Sequence, residues 1–396
     1  MLSRIRGTTG TSLKASLVSK SQPFSDIEGI DFGPTAVFHE KFPNVGKPFI
    51  FDEQDWLTVG DGDGYQDYFP RKGRVKDAVK WGQLKLFITE LQFFNKYWDP
   101  KTIAAPLCVY VGSAPGTHIP FLADMFPWFE FHLYDPRDVF DENLKKHPNV
   151  KLFVKFFTDE DAKIYSKRND VFFFSDIRSS AYNKDQYSTE EFEKENEQLV
   201  LDDLERQKKW FQIINPVKAH LKFRLPYGYG WQKEMPERMN FSYLDGDIYR
   251  QVWSPQTSTE TRLVPLAGAS PRAWNSQLYE KMCFYHNNVI REHAKFVNPL
   301  NGLNEDIDLE VGLTQDYDST ITVVTVRDYL RKFNSSGGKE PEHKDVLTLT
   351  KSIIENIGKG EINLANIRAG YKGKLSPTLE AKIQKYLKAT GDDEDE

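Results

Sequence analysis

The chain has 396 residues, more than one ordinary domain requires, and 39% of them are hydrophobic and 14% aromatic. This composition supplies a packed core and excludes a wholly disordered polymer. The net charge of -6 at pH 7 excludes a strongly basic protein that coats nucleic acid. Two cysteines, Cys108 and Cys283, cannot form a disulfide framework or a four-thiolate zinc site. We therefore expect two buried free thiols and no metal site.

The two ends of the chain differ from its middle. Residues 1–45 begin with a basic segment rich in Ser and Thr, which is typical of a flexible arm and also compatible with an organellar transit peptide. Residues 334–396 begin as a linker, continue as a lysine-rich helical tail from Val346 and end in the acidic run GDDEDE. The sequence therefore predicts a central domain over residues 46–333. No run approaches the roughly 18–20 apolar residues of a membrane helix, so no membrane partner is expected.

The middle of the chain alternates between two hydrophobic patterns. The spacing of apolar residues predicts a helix over 74–97, and five short apolar runs then alternate with helical stretches. The runs are residues 107–111, 129–134, 152–157, 171–174 and 220–225. Further strands are expected at 248–253, 261–266 and 320–326, with a charged helix at 279–296. This order predicts an α/β fold with a central, mostly parallel sheet and helices on both faces.

A glycine turn follows the first of these strands. Its sequence is Gly112-Ser113-Ala114-Pro115-Gly116, and Asp135 lies 19 residues after its last glycine, at the end of the next strand. An acid at about this offset binds ribose hydroxyls in nucleotide-binding α/β folds. Because Ala114 replaces a glycine, the turn favours S-adenosylmethionine over a dinucleotide. The alternative interpretation of this motif is a tight strand-to-helix turn that binds no ligand.

Four charged residues stand at unusual places in this pattern. Asp176 follows an apolar strand, Lys222 lies inside one, Glu260 precedes another, and Lys85 interrupts the apolar face of the first helix. A lysine within a buried strand is costly unless it is paired or reactive. Each residue taken alone is better explained as a snorkelling lysine or a solvated carboxylate.

Four motifs together resemble one family. They are GQLKL at 82–86, YVGSAPGTH at 110–118, SDIRS at 175–179, and NPV at 215–217 with LKFR at 221–224. In this order they are similar to the poxvirus mRNA cap-specific nucleoside 2′-O-methyltransferases, which also serve as the regulatory (small) subunit of poly(A) polymerase. The similarity runs from about residue 47 to 333.

The resemblance implies a Rossmann-like methyltransferase fold with S-adenosyl-L-methionine as cofactor. It implies capped mRNA as a partner and allows a poly(A) polymerase catalytic subunit as a second one. It also implies a cytoplasmic location, in the host cell or virion for a viral chain, or a nuclear one for a protist enzyme.

The family's Lys-Asp-Lys-Glu tetrad falls on Lys85, Asp176, Lys222 and Glu260. In the implied reaction a ribose 2′-hydroxyl displaces the sulfonium methyl in line, and Lys222 steers or removes the hydroxyl proton. Partial burial and Lys85 favour a neutral amine on Lys222, whereas Asp176 and Glu260 oppose it. The sequence leaves the balance between these effects open.

The resemblance also implies residues for the two ligands. The donor site comprises Gln83, Tyr110, Gly112, Ser113, Pro115, Gly116, Asp135, Arg137, Phe157 and Asp176. A methylated guanine is cationic and stacks between aromatic rings, for which Tyr227 and Tyr68 are implied, with Tyr65 as alternative to Tyr68. Glu280 is implied as an acid that reads the base edge. The family's second acid falls on Tyr229, which has no carboxylate.

Three other functions compete with cap methylation. They are a non-catalytic RNA-binding or processivity subunit, a methyltransferase of internal RNA ribose, and a nicotinamide oxidoreductase. The glycine pattern opposes the last, and Tyr227 and Glu280 disfavour internal RNA. Two basic stretches, residues 71–85 and 216–224, carry the tetrad lysines. They provide local positive charge for an RNA backbone despite the acidic total.

Overall fold

The computed structural model describes the following parts of the chain. They are residues 81–179, 189–227, 240–255, 258–268, 270–287, 291, 317–333 and 339–357, with short strand segments at 21–23, 37–39, 48–49, 58–59 and 295–296. The helices are α1 (Trp81–Tyr97), α2 (Ile119–Met125), α3 (Asp159–Tyr165), α4 (Thr189–Ile214), α5 (Ser276–Tyr285), α6 (Tyr317–Phe333) and α7 (His343–Ile357).

Most strands of these residues belong to one sheet. Its members are β4 (Thr58–Val59), β5 (Leu107–Val111), β6 (Glu130–Asp135), β7 (Val150–Val154), β8 (Val171–Ser175), β9 (Lys218–Phe223), β11 (Gly246–Tyr249) and β12 (Thr261–Pro265). Three two-stranded ladders pair β1 (Ser21–Pro23) with β2 (Val37–His39), β3 (Pro48–Phe49) with β14 (Lys295–Phe296), and β10 (Asn240–Tyr243) with β13 (Arg272–Asn275).

The strand order of the main sheet is β4-β11-β12-β9-β8-β5-β6-β7. The strands from β7 to β9 pair in parallel, whereas β12 is antiparallel to both β9 and β11. The five parallel strands therefore follow the order 3-2-1-4-5 of doubly wound folds. Such folds bind ligands at the carboxyl ends of their strands. The predicted α/β fold with a mostly parallel sheet is confirmed.

Helices cover both faces of the sheet. Alternate residues of β5 point to opposite sides, so Cys108 and Tyr110 pack with α1, α2, α6 and α7, while Leu107 and Val109 pack with α3, α4 and α5. Both free cysteines are buried, as expected from the sequence. Within the described parts, no helix has the length and apolar character needed to cross a membrane.

Two sequence predictions are corrected by the structure. The strand expected at 320–326 is instead part of α6, because its Thr, Val and Ile side chains are buried together between α1 and α7. Tertiary packing here outweighs the strand preference of β-branched residues. The helix expected at 279–296 corresponds to α5, which begins earlier, at Ser276, and ends at Tyr285. Asn275 caps the start of α5 by accepting a hydrogen bond from the Leu278 N–H.

The C-terminal segment contributes to the core. Helix α7 buries Val346, Ile353, Ile354 and Ile357 against α1, α2 and α6. It starts at His343, within the stretch predicted as a linker. The domain boundaries at residues 45 and 333 stay predictions.

Candidate active site

The sheet topology brings the four tetrad positions to one edge. Asp176 follows β8, and Lys222 is the penultimate residue of β9, the neighbouring parallel strand. Glu260 immediately precedes β12, and because β12 runs antiparallel to β9, its start lies beside the carboxyl end of β9. Lys85 comes from helix α1, which packs on one face of the sheet. Residues far apart in sequence thus meet where doubly wound folds bind ligands.

The four side chains form a chain of ion pairs. Lys85 Nζ donates to Glu260 Oε1 at 2.7 Å. Lys222 Nζ lies 3.3 Å from Glu260 Oε2 and 3.1 Å from Asp176 Oδ1. All four retain some exposure, between 12% and 18% of the side chain, so the cluster is open enough for contact with a substrate. Glu260 bridges the two lysines and so holds their ammonium groups together, and of the four tetrad residues Asp176 and Lys222 line the cavity described below.

A fifth charged side chain, Arg262, lies beneath the tetrad. Its Nη2 is 2.7 Å from Asp176 Oδ1 and 3.3 Å from Glu260 Oε1, and the side chain is only 1% exposed. The Gln251 amide, oriented by its partners, donates to Glu260 Oε1 at 3.2 Å and accepts from Arg262 Nε at 3.0 Å. The sequence analysis missed both residues. A charged residue inside the strand TRLVP, two positions after Glu260, was the available signal.

These contacts determine the charge state of the cluster. Burial opposes ionisation of Asp176 and Glu260, but the neighbouring Lys and Arg charges outweigh it and hold the pKa of each carboxyl below its usual value. Burial lowers the pKa of Lys85, with a further lowering from Arg262 and Lys222 that Glu260 opposes. The cluster therefore combines two ionised carboxylates with an amine that is easier to deprotonate than a free lysine.

A large cavity lies next to the tetrad. It has a volume of about 1120 Å³, and its walls include Gly112, Asp135, Arg137, Phe157, Asp176 and Lys222. Its outer wall includes Phe156, which is 75% exposed, and residues of α4 such as Trp210. The apolar run 152–157 was predicted as strand, but β7 ends at Val154 and the two phenylalanines that follow reach this cavity.

The glycine turn closely approaches the strand end that bears Asp176. Gly112 has φ +79°, and a Cβ there would lie 2.8 Å from the Asp176 carbonyl carbon. Gly116 has φ +64°, and a Cβ there would lie 2.7 Å from the Ser113 carbonyl oxygen. Both positions thus require glycine, for conformation and for space. Ser113 is buried, and the Pro115 carbonyl accepts from the Asp141 N–H at 2.9 Å, so both contribute to the turn rather than to the cavity wall.

Asp135 lies at the cavity with both oxygens in use. Oδ1 accepts from Arg137 Nε at 2.9 Å, and Oδ2 accepts from the Ala114 N–H at 3.2 Å. The Asp135 side chain is 2% exposed, while that of Arg137 is 62% exposed. Arg137 thus covers the carboxylate from the solvent side, and its Nη2 also donates to the Ala114 carbonyl at 3.0 Å.

Gln83 and Tyr110 lie outside the cavity wall, in a hydrogen-bond network behind the turn that is buried at Tyr110 and half-buried at Gln83. Gln83 Oε1 accepts from Thr117 Oγ1 at 3.0 Å and is 2.8 Å from His118 Nδ1. Glu90 accepts from the Tyr110 hydroxyl at 2.7 Å and lies 3.0 Å from His118 Nε2. These contacts join α1, which carries Lys85, to the glycine turn.

The residues implied for cap binding are brought together only in part. The Tyr227 hydroxyl accepts from Thr259 Oγ1 at 3.1 Å, and the Arg224 guanidinium lies 4.3 Å from the Tyr227 ring centroid. Tyr227 is thus held next to Glu260, which follows Thr259. Glu280 lies on α5 and is 4% exposed, inside the protein. Tyr68, its alternative Tyr65 and Tyr229 lie outside the described residues.

The chain is similar to proteins of known families. Residues 51–359 match the family model described as poly A polymerase regulatory subunit. The chain is 31% identical over 260 residues to the cap-specific mRNA (nucleoside-2'-O-)-methyltransferase of Fowlpox virus (strain NVSL), covering 62% of this chain and 77% of that protein. It is 29% identical over 262 residues to the protein of the same name from Myxoma virus (strain Lausanne), covering 63% and 71%.

Among solved structures, it is similar to the human methyltransferase 10 domain containing protein, with a TM-score of 0.27 and 13% identity over 49% of this chain and 83% of that one. The match to the family model covers most of the sequence and includes every tetrad residue. The chain therefore belongs to the poly(A) polymerase regulatory subunit family.

Proposed function

We propose that this chain transfers a methyl group from S-adenosylmethionine to the ribose 2′-hydroxyl of a cap-proximal nucleotide in 7-methylguanosine-capped mRNA, converting cap 0 to cap 1. The observation that carries the proposal is the contact of Lys85, Asp176, Lys222 and Glu260 at the edge of the cavity. The names of the viral relatives support the same activity.

The cavity fits an adenosine-containing donor. Gly112 lines the cavity without a side chain, and the buried Asp135 carboxylate lies in its wall, where a ribose diol would bind. Phe157 adds an apolar wall suited to a base. When bound, S-adenosylmethionine supplies an electrophilic methyl group on sulfonium. Gln83 and Tyr110 support the turn from behind rather than lining the cavity.

Lys222 is the residue we assign to the proton of the 2′-hydroxyl. Its amine is held by Asp176 and Glu260, so its position is fixed while one side faces the cavity. As a neutral amine it accepts the hydroxyl proton, and the two carboxylates then stabilise the resulting ammonium. Lys85, held by Glu260, orients the same carboxylate and adds positive charge near the developing alkoxide.

The experiment that tests this function compares three RNAs that differ only at the 5′ end. Methyl transfer from labelled S-adenosylmethionine is measured to RNA with a 7-methylguanosine cap, with an unmethylated cap and without a cap. We expect transfer to the first RNA only. Equal transfer to uncapped RNA would overturn the cap assignment and favour an internal-RNA methyltransferase.

Tyr227 is the aromatic residue we assign to stacking on the methylated guanine. Tyr227→Ala should weaken binding of capped RNA about tenfold, because stacking on an aromatic ring is worth about 1–3 kcal/mol per base. Tyr227→Phe keeps the ring and loses only the hydroxyl that accepts from Thr259, so it is the matched control. Equal binding by the wild-type and Tyr227→Ala proteins would exclude the stacking role.

A second function is favoured by the family match itself, whose description names a poly(A) polymerase regulatory subunit. We propose a polymerase catalytic subunit as partner, with a role that does not need methyl transfer. Poly(A) tail length made by such a catalytic subunit should increase when the wild-type or Lys222→Ala protein is added. If neither protein lengthens the tails, this chain has no regulatory role of that kind.

A further inference from the structure

The aromatic ring assigned to the cap has a shielded ion pair behind it. Arg224 directly follows β9, and Glu197 reaches it from α4. Glu197 Oε1 accepts from Arg224 Nη2 at 2.9 Å, and Glu197 Oε2 accepts from Arg224 Nη1 at 3.0 Å. The side chains of Arg224 and Glu197 are 13% and 11% exposed. Such two-point pairs are among the strongest that an arginine makes.

The same pair fixes the position of Tyr227. Glu197 Oε2 also accepts from the Tyr227 N–H at 2.7 Å. The Arg224 guanidinium lies over the Tyr227 ring, 4.3 Å from its centroid. At the far end of the ring, the hydroxyl accepts from Thr259 Oγ1 at 3.1 Å. A base that stacks on Tyr227 must therefore take the face opposite Arg224.

An arginine on one face of a ring affects a cationic base on the other face. The face of an aromatic ring attracts a cation because it is electron-rich. Two cations on opposite faces also repel each other, and this repulsion acts on 7-methylguanine, which is positively charged, but not on neutral guanine. Without a counter-charge, Arg224 would therefore oppose the base that the pocket is proposed to select.

We propose that Glu197 is a positioning residue that sets the preference for 7-methylguanine over guanine, because it neutralises the Arg224 charge behind the Tyr227 ring. This inference rests on the proposed function, since it takes Tyr227 as the ring that stacks on the cap. Glu197 acts through the other two residues and does not read the base edge, because both of its oxygens are occupied by Arg224 and the Tyr227 N–H.

The electrostatics of the pair agree with this role. Burial lowers the pKa of Arg224, but the charge of Glu197 and its hydrogen bonds outweigh burial and raise that pKa. The guanidinium is thus a permanent cation, and the carboxylate in contact with it provides the compensating charge. The carboxylate of Glu260, which follows Thr259, is instead engaged by the two tetrad lysines.

The test measures binding rather than turnover. Isothermal titration calorimetry gives the affinity of the full chain for two dinucleotide cap analogues, one with 7-methylguanosine and one with unmethylated guanosine. The ratio of the two affinities is the preference for the methylated base. Three variants change the charge behind the ring: Glu197→Gln leaves a cation, Arg224→Gln leaves an anion, and the double variant leaves neither. Glu205→Gln is the matched control, since Glu205 is also an acid of α4 paired with a cation, Lys208, but is 63% exposed.

We expect Glu197→Gln to lower the preference for the methylated analogue about tenfold, a size within the range of cation–π energies. The loss should come from weaker binding of the methylated analogue, with little change for the unmethylated one. Arg224→Gln should not lower the preference, the double variant should restore most of it, and Glu205→Gln should leave it unchanged. The same preference in the wild type and in a folded Glu197→Gln protein would overturn the inference.

The double variant separates charge from shape, and it decides the question even if Glu197→Gln alone does not fold. If Glu197 only held the Tyr227 backbone in place, removing Arg224 as well would leave the preference lost, and that result would also overturn the inference. Binding of the analogues does not need methyl transfer. If the preferences follow the expected order but no RNA is methylated, the role of Glu197 stands and the proposed function is wrong. If capped RNA is methylated but the preference does not depend on the charge of Glu197, the inference alone is wrong.

Discussion

Helix α1 and strand β9 each carry two lysines, one at each edge of the sheet, and the two edges use them differently. At the carboxyl edge, Lys85 and Lys222 lie on the carboxylates of Glu260 and Asp176. At the other end of α1, Lys96 lies 5.0 Å from the Tyr249 ring centroid, and Lys218, at the amino end of β9, lies 5.3 Å from that of Tyr97. The same two elements thus build one cluster of ion pairs and one cluster of cations on aromatic rings.

The difference teaches what makes a lysine useful for chemistry in this fold. Beside the other two lysines, the Tyr97 and Tyr249 hydroxyls bond to each other, and Lys96 donates to Tyr249 at 2.7 Å. This arrangement joins α1 to the sheet. At the carboxyl edge both lysines are held by anions, and Lys222 lines a large cavity. Position relative to carboxylates and cavity, rather than residue type, separates the two pairs.

The largest expected effect concerns the two lysines of β9. Lys222→Ala should lower the methyl transfer rate to capped RNA by about 10³-fold, the contribution of a positioned general base. Lys218→Ala, at the other end of the same strand, should leave the rate unchanged. Single-turnover kinetics with both variants measures this contrast. A similar loss in both variants would mean that strand integrity, not the amine of Lys222, determines the rate.

The second effect is on stability. Glu260→Gln removes the anion shared by Lys85, Lys222 and Arg262 and should lower the free energy of unfolding by about 3 kcal/mol, as when one partner of a buried ion pair is lost. Tyr249→Phe removes a hydroxyl that bonds Tyr97 and accepts from Lys96, and it should cost less, about 1 kcal/mol, because no buried charge loses its counter-charge. Urea unfolding of the two variants gives both values, and a larger loss for Tyr249→Phe would reverse the comparison.

The third effect concerns the turn at each edge. Gly112→Ala should cost about 2 kcal/mol and reduce donor binding, because the residue has a positive φ and its Cβ would meet the Asp176 backbone. Gly268→Ala, beyond the amino-edge end of β12, has a similar φ of +68° and nothing within 4 Å. It controls for strain without the close approach. Equal donor binding by the two variants would exclude a special role for the approach of Gly112 to Asp176.

The smallest expected effect is a difference in pH dependence. The pKa of Glu260 is lowered on folding by Lys85 and Lys222 despite burial, so its stabilising contribution is present above the usual 4.5 and is lost as pH falls. The pKa of Tyr97 is raised by burial and by Tyr249, so its contribution is lost as pH rises above 10.0. The difference in the free energy of unfolding between wild type and Glu260→Gln should disappear at acidic pH. The same difference between wild type and Tyr97→Phe should change at alkaline pH. Gaps that stay constant with pH would contradict both assignments.

The sequence predicts the parallel sheet well because each strand is a short apolar run bounded by turn residues. The strand at 107–111 and the acids at the ends of β6 and β8 lie where the pattern indicates. The strand predicted at 320–326 is wrong, since a run of β-branched residues does not distinguish a buried helix from a strand. Its neighbours α1 and α7 are distant in sequence and decide the outcome.

The candidate site is predictable to the extent that its motifs are local. Lys85, Asp176, Lys222 and Glu260 follow from a resemblance. Their contact depends on the antiparallel pairing of β12 with β9; the sequence predicts this strand at 261–266 but not its direction. Arg262 and Gln251 were missed because their role arises only from register and from burial beneath the acids. Tyr110 has a hydroxyl that points to Glu90, a direction that no sequence pattern gives.

The most direct test of the central claim is the position of the transferred methyl group. Capped RNA is incubated with S-adenosylmethionine and the wild-type or Lys222→Ala protein, digested with nucleases and analysed by mass spectrometry. We predict a 2′-O-methylated nucleoside adjacent to the cap with the wild-type protein and none with Lys222→Ala. A methyl group on a base or on an internal ribose, or an equal yield from Lys222→Ala, would contradict the assignment of the carboxyl-edge lysines to cap methylation.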